Sequence, residues 1–162
     1  MVFKEKMKGE NKEFEEKYSE LVKKYKLPKL MDIEEKFELI KGEKNTNFIL
    51  RSVRKSMIEK VGSLIGFLEM LLNPMNAPRM YIPFISSMGV DDKGKIDELY
   101  GTLAGFSFSS MELEFEYNEE LEASLIKEIY SSWGEISSVI HSMVAKMKLP
   151  VSSMKKEKSY FG

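Results

Sequence analysis

Carboxylates are the residues of this chain best placed to do chemistry. Glu34, Glu35 and Glu38 spell EExxE, and Glu112, Glu114, Glu116, Glu119, Glu120 and Glu122 crowd one short stretch. Such clusters can hold Mg²⁺, usually beside substrate phosphates; a solvated helix face is the commoner outcome. Other chemistries lack their parts. There is no cysteine and a single histidine, His141, so thiolate metal sites and Cys nucleophiles are out and a transition-metal site is not expected. A di-iron bundle needs Glu-x-x-His, and residue 138 is Ser. Neither GxGxxG nor GxxxxGK[ST] occurs, and no spacing implies a Ser-His-Asp triad. No catalytic residue, metal ligand or cofactor site is therefore assigned.

The EExxE of Glu34, Glu35 and Glu38 resembles the first metal motif of the all-α nucleoside-triphosphate pyrophosphatases, the MazG-like family. The resemblance covers five residues and implies a metal-dependent phosphohydrolase. That family also uses a later ExxD. Asp32, Asp91, Asp92 and Asp97 are preceded at three residues by Lys29, Met88, Gly89 and Gly94, so the second half of the pattern is missing.

The cations suggest a different chemistry. Arg51, Arg54 and Lys55 lie three and four residues apart near the start of a long helical pattern and form a basic strip. Arg recognises carboxylate or phosphate bidentately. The net charge of −1 hides an asymmetry that bears on the partner. Residues 1–60 carry 16 Lys and Arg against 12 Asp and Glu, residues 61–150 carry 6 against 13, and residues 151–162 carry 3 against 1. Pairing of the strip with the acidic middle of the chain is the simplest reading. Contact with nucleic acid or with an acidic protein is the functional one. A second cluster lies in the Pro-rich connector 73–90, where Arg79, Tyr81 and Phe84 are typical interface anchors; the bland reading is that the connector caps the core.

The elements that must position these groups read as helices throughout. Phe14, Tyr18, Leu21, Val22 and Tyr25 mark an amphipathic helix over 10–26 after a frayed start, and Pro28 stops it. Met31–Lys41 reads as a short helix with Asp32 as N-cap, Glu35 completing a capping box, and Gly42 closing it. Thr46–Leu72 is the clearest helix, capped by Asn45 or Thr46 and ended by Asn73-Pro74. A short helix is expected near 78–87. The next helix runs from an Asp91 or Asp92 cap to Tyr117, with Ile96, Leu99, Tyr100, Leu103, Phe106, Met111 and Phe115 as its apolar face; residues 107–117 also alternate like a strand. The last runs from Glu119 to Lys148 and ends at Pro150. Gly62 with Gly66, and Gly101 with Gly105, would let helices 46–72 and 91–117 cross closely, or let one of them meet a second copy of the chain; the alternative is that one pair marks a kink or a helix end.

At 162 residues, 43% hydrophobic and 31% charged, the chain has the composition of one globular domain. Residues 1–150 are expected to form a single all-α domain, an antiparallel helical bundle of five or six helices, with 151–162 as a flexible C-terminal tail. The start of the chain has no apolar signal-peptide segment, and the most apolar run, Val61–Leu72, is too short to span a bilayer. A soluble, cytoplasmic protein without a membrane partner is the expectation. By elimination the reading is a non-enzymatic protein–protein interaction module without cofactor. Its partner-binding residues would be Arg51, Arg54, Lys55, Arg79, Tyr81 and Phe84, and its partner another protein or a second copy. Nucleic-acid binding by the basic strip is one alternative, and a pyrophosphatase-like enzyme the other.

Overall fold

The structure, a computed structural model, describes residues 2–38 and 47–157. The fold is an all-α helical bundle. Six α-helices occur among the described residues: α1 (Val2–Tyr25), α2 (Leu30–Phe37), α3 (Ile49–Leu72), α4 (Ile82–Ser87), α5 (Val90–Phe115) and α6 (Glu119–Glu157). Two 3₁₀ turns, Pro74–Asn76 and Arg79–Tyr81, lie between α3 and α4. None of these residues forms a strand, so 107–115 is helical despite its alternation, and 116–117 lie between α5 and α6. No described helix is long and apolar enough to cross a membrane.

The chain divides into two compact units. The first comprises Met1–Gly62 and Gly105–Ser132. Its core holds Phe14 and Tyr18 of α1, Ile33 and Phe37 of α2, Leu50, Val53 and Met57 of α3, and Ile126 and Ile129 of α6. Helix α1 ends in a left-handed residue, Lys26 (φ 55°), and the Leu27 amide reaches back to the Val22 carbonyl at 3.2 Å. That closure turns Leu27 into the core. The Tyr18 hydroxyl donates to the Pro28 carbonyl at 3.0 Å, which fixes the loop into α2. Burial of this phenol raises its pKa. Lys60 of α3 donates to the Lys36 carbonyl at 2.7 Å and so caps the end of α2.

The second unit comprises Ser63–Ala104 and Trp133–Gly162. Leu68 and Leu71 of α3, Phe84 of α4, Ile96, Leu99 and Leu103 of α5, and Trp133, Ile136 and Met143 of α6 are buried. Asp92 in the first turn of α5 pairs with Lys146.

Several element bounds differ from the sequence reading. Helix α1 already begins at Val2, where fraying was expected. Helix α2 starts after Lys29, which makes no side-chain cap, and Asp32 sits inside its first turn where it complements the helix dipole. The expected caps Asn45 and Thr46, and Gly42, lie outside the described residues. Helix α6 continues through Pro150 to Glu157. Proline keeps the helical φ and forfeits one backbone hydrogen bond, which bends or weakens a helix without forcing it to stop.

The glycine pairs do not mediate a close helix crossing. A Cβ built on Gly62, Gly66, Gly101 or Gly105 would meet no atom within 4 Å. Each therefore carries the helix-propensity penalty of glycine with no packing gain. Gly62→Ala and Gly66→Ala should each raise stability by roughly 0.5–1 kcal/mol. A higher thermal midpoint in both checks this; a lower one would reveal a neighbour that alanine displaces.

Candidate interaction surface

The site is built around the arginines of α3. Arg54 is 1% exposed and Glu122 of α6 is fully buried. Arg54 Nε donates to Glu122 Oε2 at 2.5 Å, and its Nη2 donates to Glu114 Oε1 at 2.6 Å. Its Nη1 donates to the hydroxyl of Ser110, and to the Ser110 carbonyl at 3.3 Å. Arg51, one turn earlier, donates from Nε to Glu122 Oε1 at 3.2 Å and from Nη2 to the Leu113 carbonyl. Its guanidinium also lies over the rings of Phe48 and Tyr117, 5.8 and 5.2 Å from their centroids. Lys55 pairs with Glu114 at 3.0 Å.

These contacts satisfy a buried ionic group that would otherwise be costly. Burial works against the charge on Arg54. The bonds to Glu122 and Glu114 outweigh it, so the guanidinium pKa lies above its ordinary value. No buried side-chain nitrogen or oxygen among the described residues lacks a partner. Glu122 is set in place by Asn118, whose Oδ1 accepts from the amides of Glu120 and Leu121 at 3.1 Å each. Asn118, which the sequence reading leaves between the helix ending at Tyr117 and the one starting at Glu119, is thus the N-cap of α6.

The ionic cluster fixes which face of α5 points inward. Ile96, Leu99, Leu103, Phe106, Ser110 and Leu113 are the buried positions of this helix, at spacings of three and four. The opposite face is left in solvent. Phe108 is 66% exposed, Met111 59% and Phe115 91%. They stand three and four residues apart and so share one stripe. Leu121, in the first turn of α6, is 55% exposed.

The acidic stretch divides in two. Glu114 is bound by Arg54 and Lys55, Glu122 by Arg51 and Arg54, and Glu119 by Lys24 at 2.8 Å and by the Tyr25 hydroxyl at 2.7 Å. Glu112, Glu116 and Glu120 are exposed and have no ion-pair partner among the described residues. The hydrogen bond from Arg54 holds the Glu114 carboxyl below its usual value of 4.5, and that from Lys24 does the same for Glu119. A carboxyl with a lowered folded pKa stabilises the fold above the unfolded value, and the contribution is lost as pH falls through the folded value. Urea midpoints should therefore drop as pH is taken below about 4.5. Glu119→Gln should flatten that drop; an identical pH profile in the variant would contradict the assignment.

The residues named from sequence fare unequally. The structure brings Arg51, Arg54 and Lys55 together, but as an internal ionic cluster and not as a basic strip facing solvent. Arg54 is out of a partner's reach, and Arg51 keeps only a fifth of its side chain exposed. In the connector, Phe84 is buried in the second unit, and Tyr81 is half-buried edge-on to Phe67 with centroids 6.4 Å apart. Arg79 is exposed, as are Met75 and Met80. Glu34, Glu35 and Glu38 do not share a helix face, because α2 ends at Phe37 and Glu38 adopts a left-handed conformation (φ 51°). No three His, Asp or Glu side chains among the described residues are grouped to hold a metal ion. Gly66 and Tyr100 line an open depression with Glu69 and Met70, where the Tyr100 hydroxyl donates to Glu69 at 3.1 Å.

The sequence reading missed Ser110 and Glu122 as inward residues and placed Met111 and Phe115 on the core face. The signal was present. The spacing Ile96, Leu99, Leu103, Phe106 continues to Ser110 and Leu113, not to Met111 and Phe115. No protein-family model, curated protein or solved structure matches the chain.

Proposed function

We propose that the chain is a non-enzymatic protein–protein interaction module that docks a partner on the outward face of α5, Gly105–Phe115. One observation carries the reading: Phe108, Met111 and Phe115 form an exposed apolar stripe on a helix whose other face is already packed. A contiguous exposed apolar patch is the usual mark of an interaction site. Phenylalanine and methionine are enriched in interface cores. The open space over Gly105 leaves room for a partner's close approach. The internal pairing of Arg51, Arg54 and Lys55 speaks against nucleic-acid binding by that strip.

The test is capture from native lysate on tagged protein, with washes of rising salt and both protein and nucleic acid assayed. The wild-type chain should retain one protein at high salt, and Phe108→Ser/Phe115→Ser should lose it. Both side chains are exposed, so the double variant should keep its thermal midpoint. Arg79→Ala should retain the partner. Loss with Arg79→Ala alone would move the interface to the connector. Recovery of only nucleic acid, released at moderate salt, would overturn the reading.

A further inference from the structure

The charges around the α5 stripe point to the kind of partner it takes. No Lys, Arg or His stands between Ile96 and Ile126. The carboxylates of Glu114, Glu119 and Glu122 are neutralised internally. Those of Glu112, Glu116 and Glu120 have no ion-pair partner among the described residues. Glu112 lies four residues after Phe108 and three before Phe115, beside the stripe on the same helix, and Glu116 directly follows Phe115 just past the end of α5. A second copy docking here would bring these carboxylates against their own counterparts. A neutral apolar helix would cover them without pairing. Resting on the docking reading above, we infer that the stripe receives an amphipathic helix of another protein whose apolar face is flanked by Lys and Arg. Such a helix lays its apolar side chains on Phe108, Met111 and Phe115 and its cations against Glu112, Glu116 and Glu120. Met111 and the open position over Gly105 let the surface adapt to different side chains.

Two fluorescein-labelled probes test this with the full chain: an amphipathic helical peptide of Leu and Lys, and its counterpart with Glu for Lys. Anisotropy titrations should show the Leu/Lys peptide binding at least about tenfold more tightly, with a preference that shrinks as salt rises. Phe108→Ser/Phe115→Ser should weaken it by about tenfold or more. Glu112→Lys/Glu116→Lys/Glu120→Lys should reverse the preference, and these exposed, unpaired side chains can be changed with the fold intact. Equal binding of the two peptides, lost for both in the Phe variant, would overturn the basic partner and leave the docking face standing. Binding of both that survives the Phe variant, or binding of neither, would overturn the face as well. Self-association by light scattering that the Phe variant abolishes would make a second copy the occupant and overturn the inference.

Discussion

Glu122→Ala is expected to destabilise the protein by roughly 3–5 kcal/mol, the cost of breaking a buried ion pair by removing one partner. Arg54 is 1% exposed, and Glu122 supplies two of its acceptors. Without that carboxylate the guanidinium keeps only the partly exposed Glu114 and Ser110. Arg51 loses an acceptor at the same time. A domain of this kind has about 5–15 kcal/mol of total stability, so the variant should sit near the unfolding threshold. Glu114→Ala should cost much less, about 1 kcal/mol or below, because its side chain is 41% exposed and screened by water. Replacing both partners, Arg54→Met with Glu122→Leu, should be far milder than the single change, since no charge is left buried. Urea midpoints of the four proteins check the pattern. Glu122→Ala within about 1 kcal/mol of wild type would mean that the Arg54–Glu122 pair is solvated.

Trp133→Ala is expected to cost roughly 3–5 kcal/mol, the range for emptying a large aromatic site in a packed core. Trp133 is 8% exposed and lies on α6 with Ile136 and Met143 also buried in the second unit. That unit has few other large aromatics in its core, Phe84 being one. The loss should therefore leave a cavity that its neighbours only partly fill. Trp133→Phe should recover much of the stability. Unfolding followed by circular dichroism is the appropriate readout, because Trp133 is the sole tryptophan and its removal abolishes the fluorescence signal. A neutral Trp133→Ala would place the side chain at the surface.

The sequence was informative where apolar side chains repeat at helical spacing. Leu50, Val53, Met57, Val61 and Leu68 of α3 follow that period and are all buried, as are Leu125, Ile126, Ile129 and Trp133 of α6. The connector also contains the short helix expected near 78–87, as α4. Choosing inward positions by apolarity fails where a polar residue takes one, even where the spacing itself continues to it. On α5 the buried site after Phe106 is Ser110, and on α6 it is Glu122, not the apolar Leu121. Hydrophobicity alone assigns these helices the wrong face at the point where they meet Arg54. The same choice puts Met111 and Phe115 in the core and hides the exposed apolar stripe of α5. Pairing Arg54 with two of the six glutamates of 112–122 requires three-dimensional placement, since Glu114 and Glu122 lie 60 and 68 residues from it in sequence. The glycine pairs misled for a related reason: spacing shows that a groove exists, and only packing shows whether anything fills it.

The methionines allow the central claim to be tested at single-residue resolution. Met111 reports on the α5 stripe, Met31 on α2, Met75 and Met80 on the connector, and Met57 and Met143 on the cores. The measurement is a methyl NMR titration of ¹³C-methyl-methionine protein with the Leu/Lys peptide. The Met111 resonance should shift first and furthest, with Met57 and Met143 unmoved. Shifts confined to Met75 and Met80, with Met111 static, would contradict the account and place the docking surface on the connector.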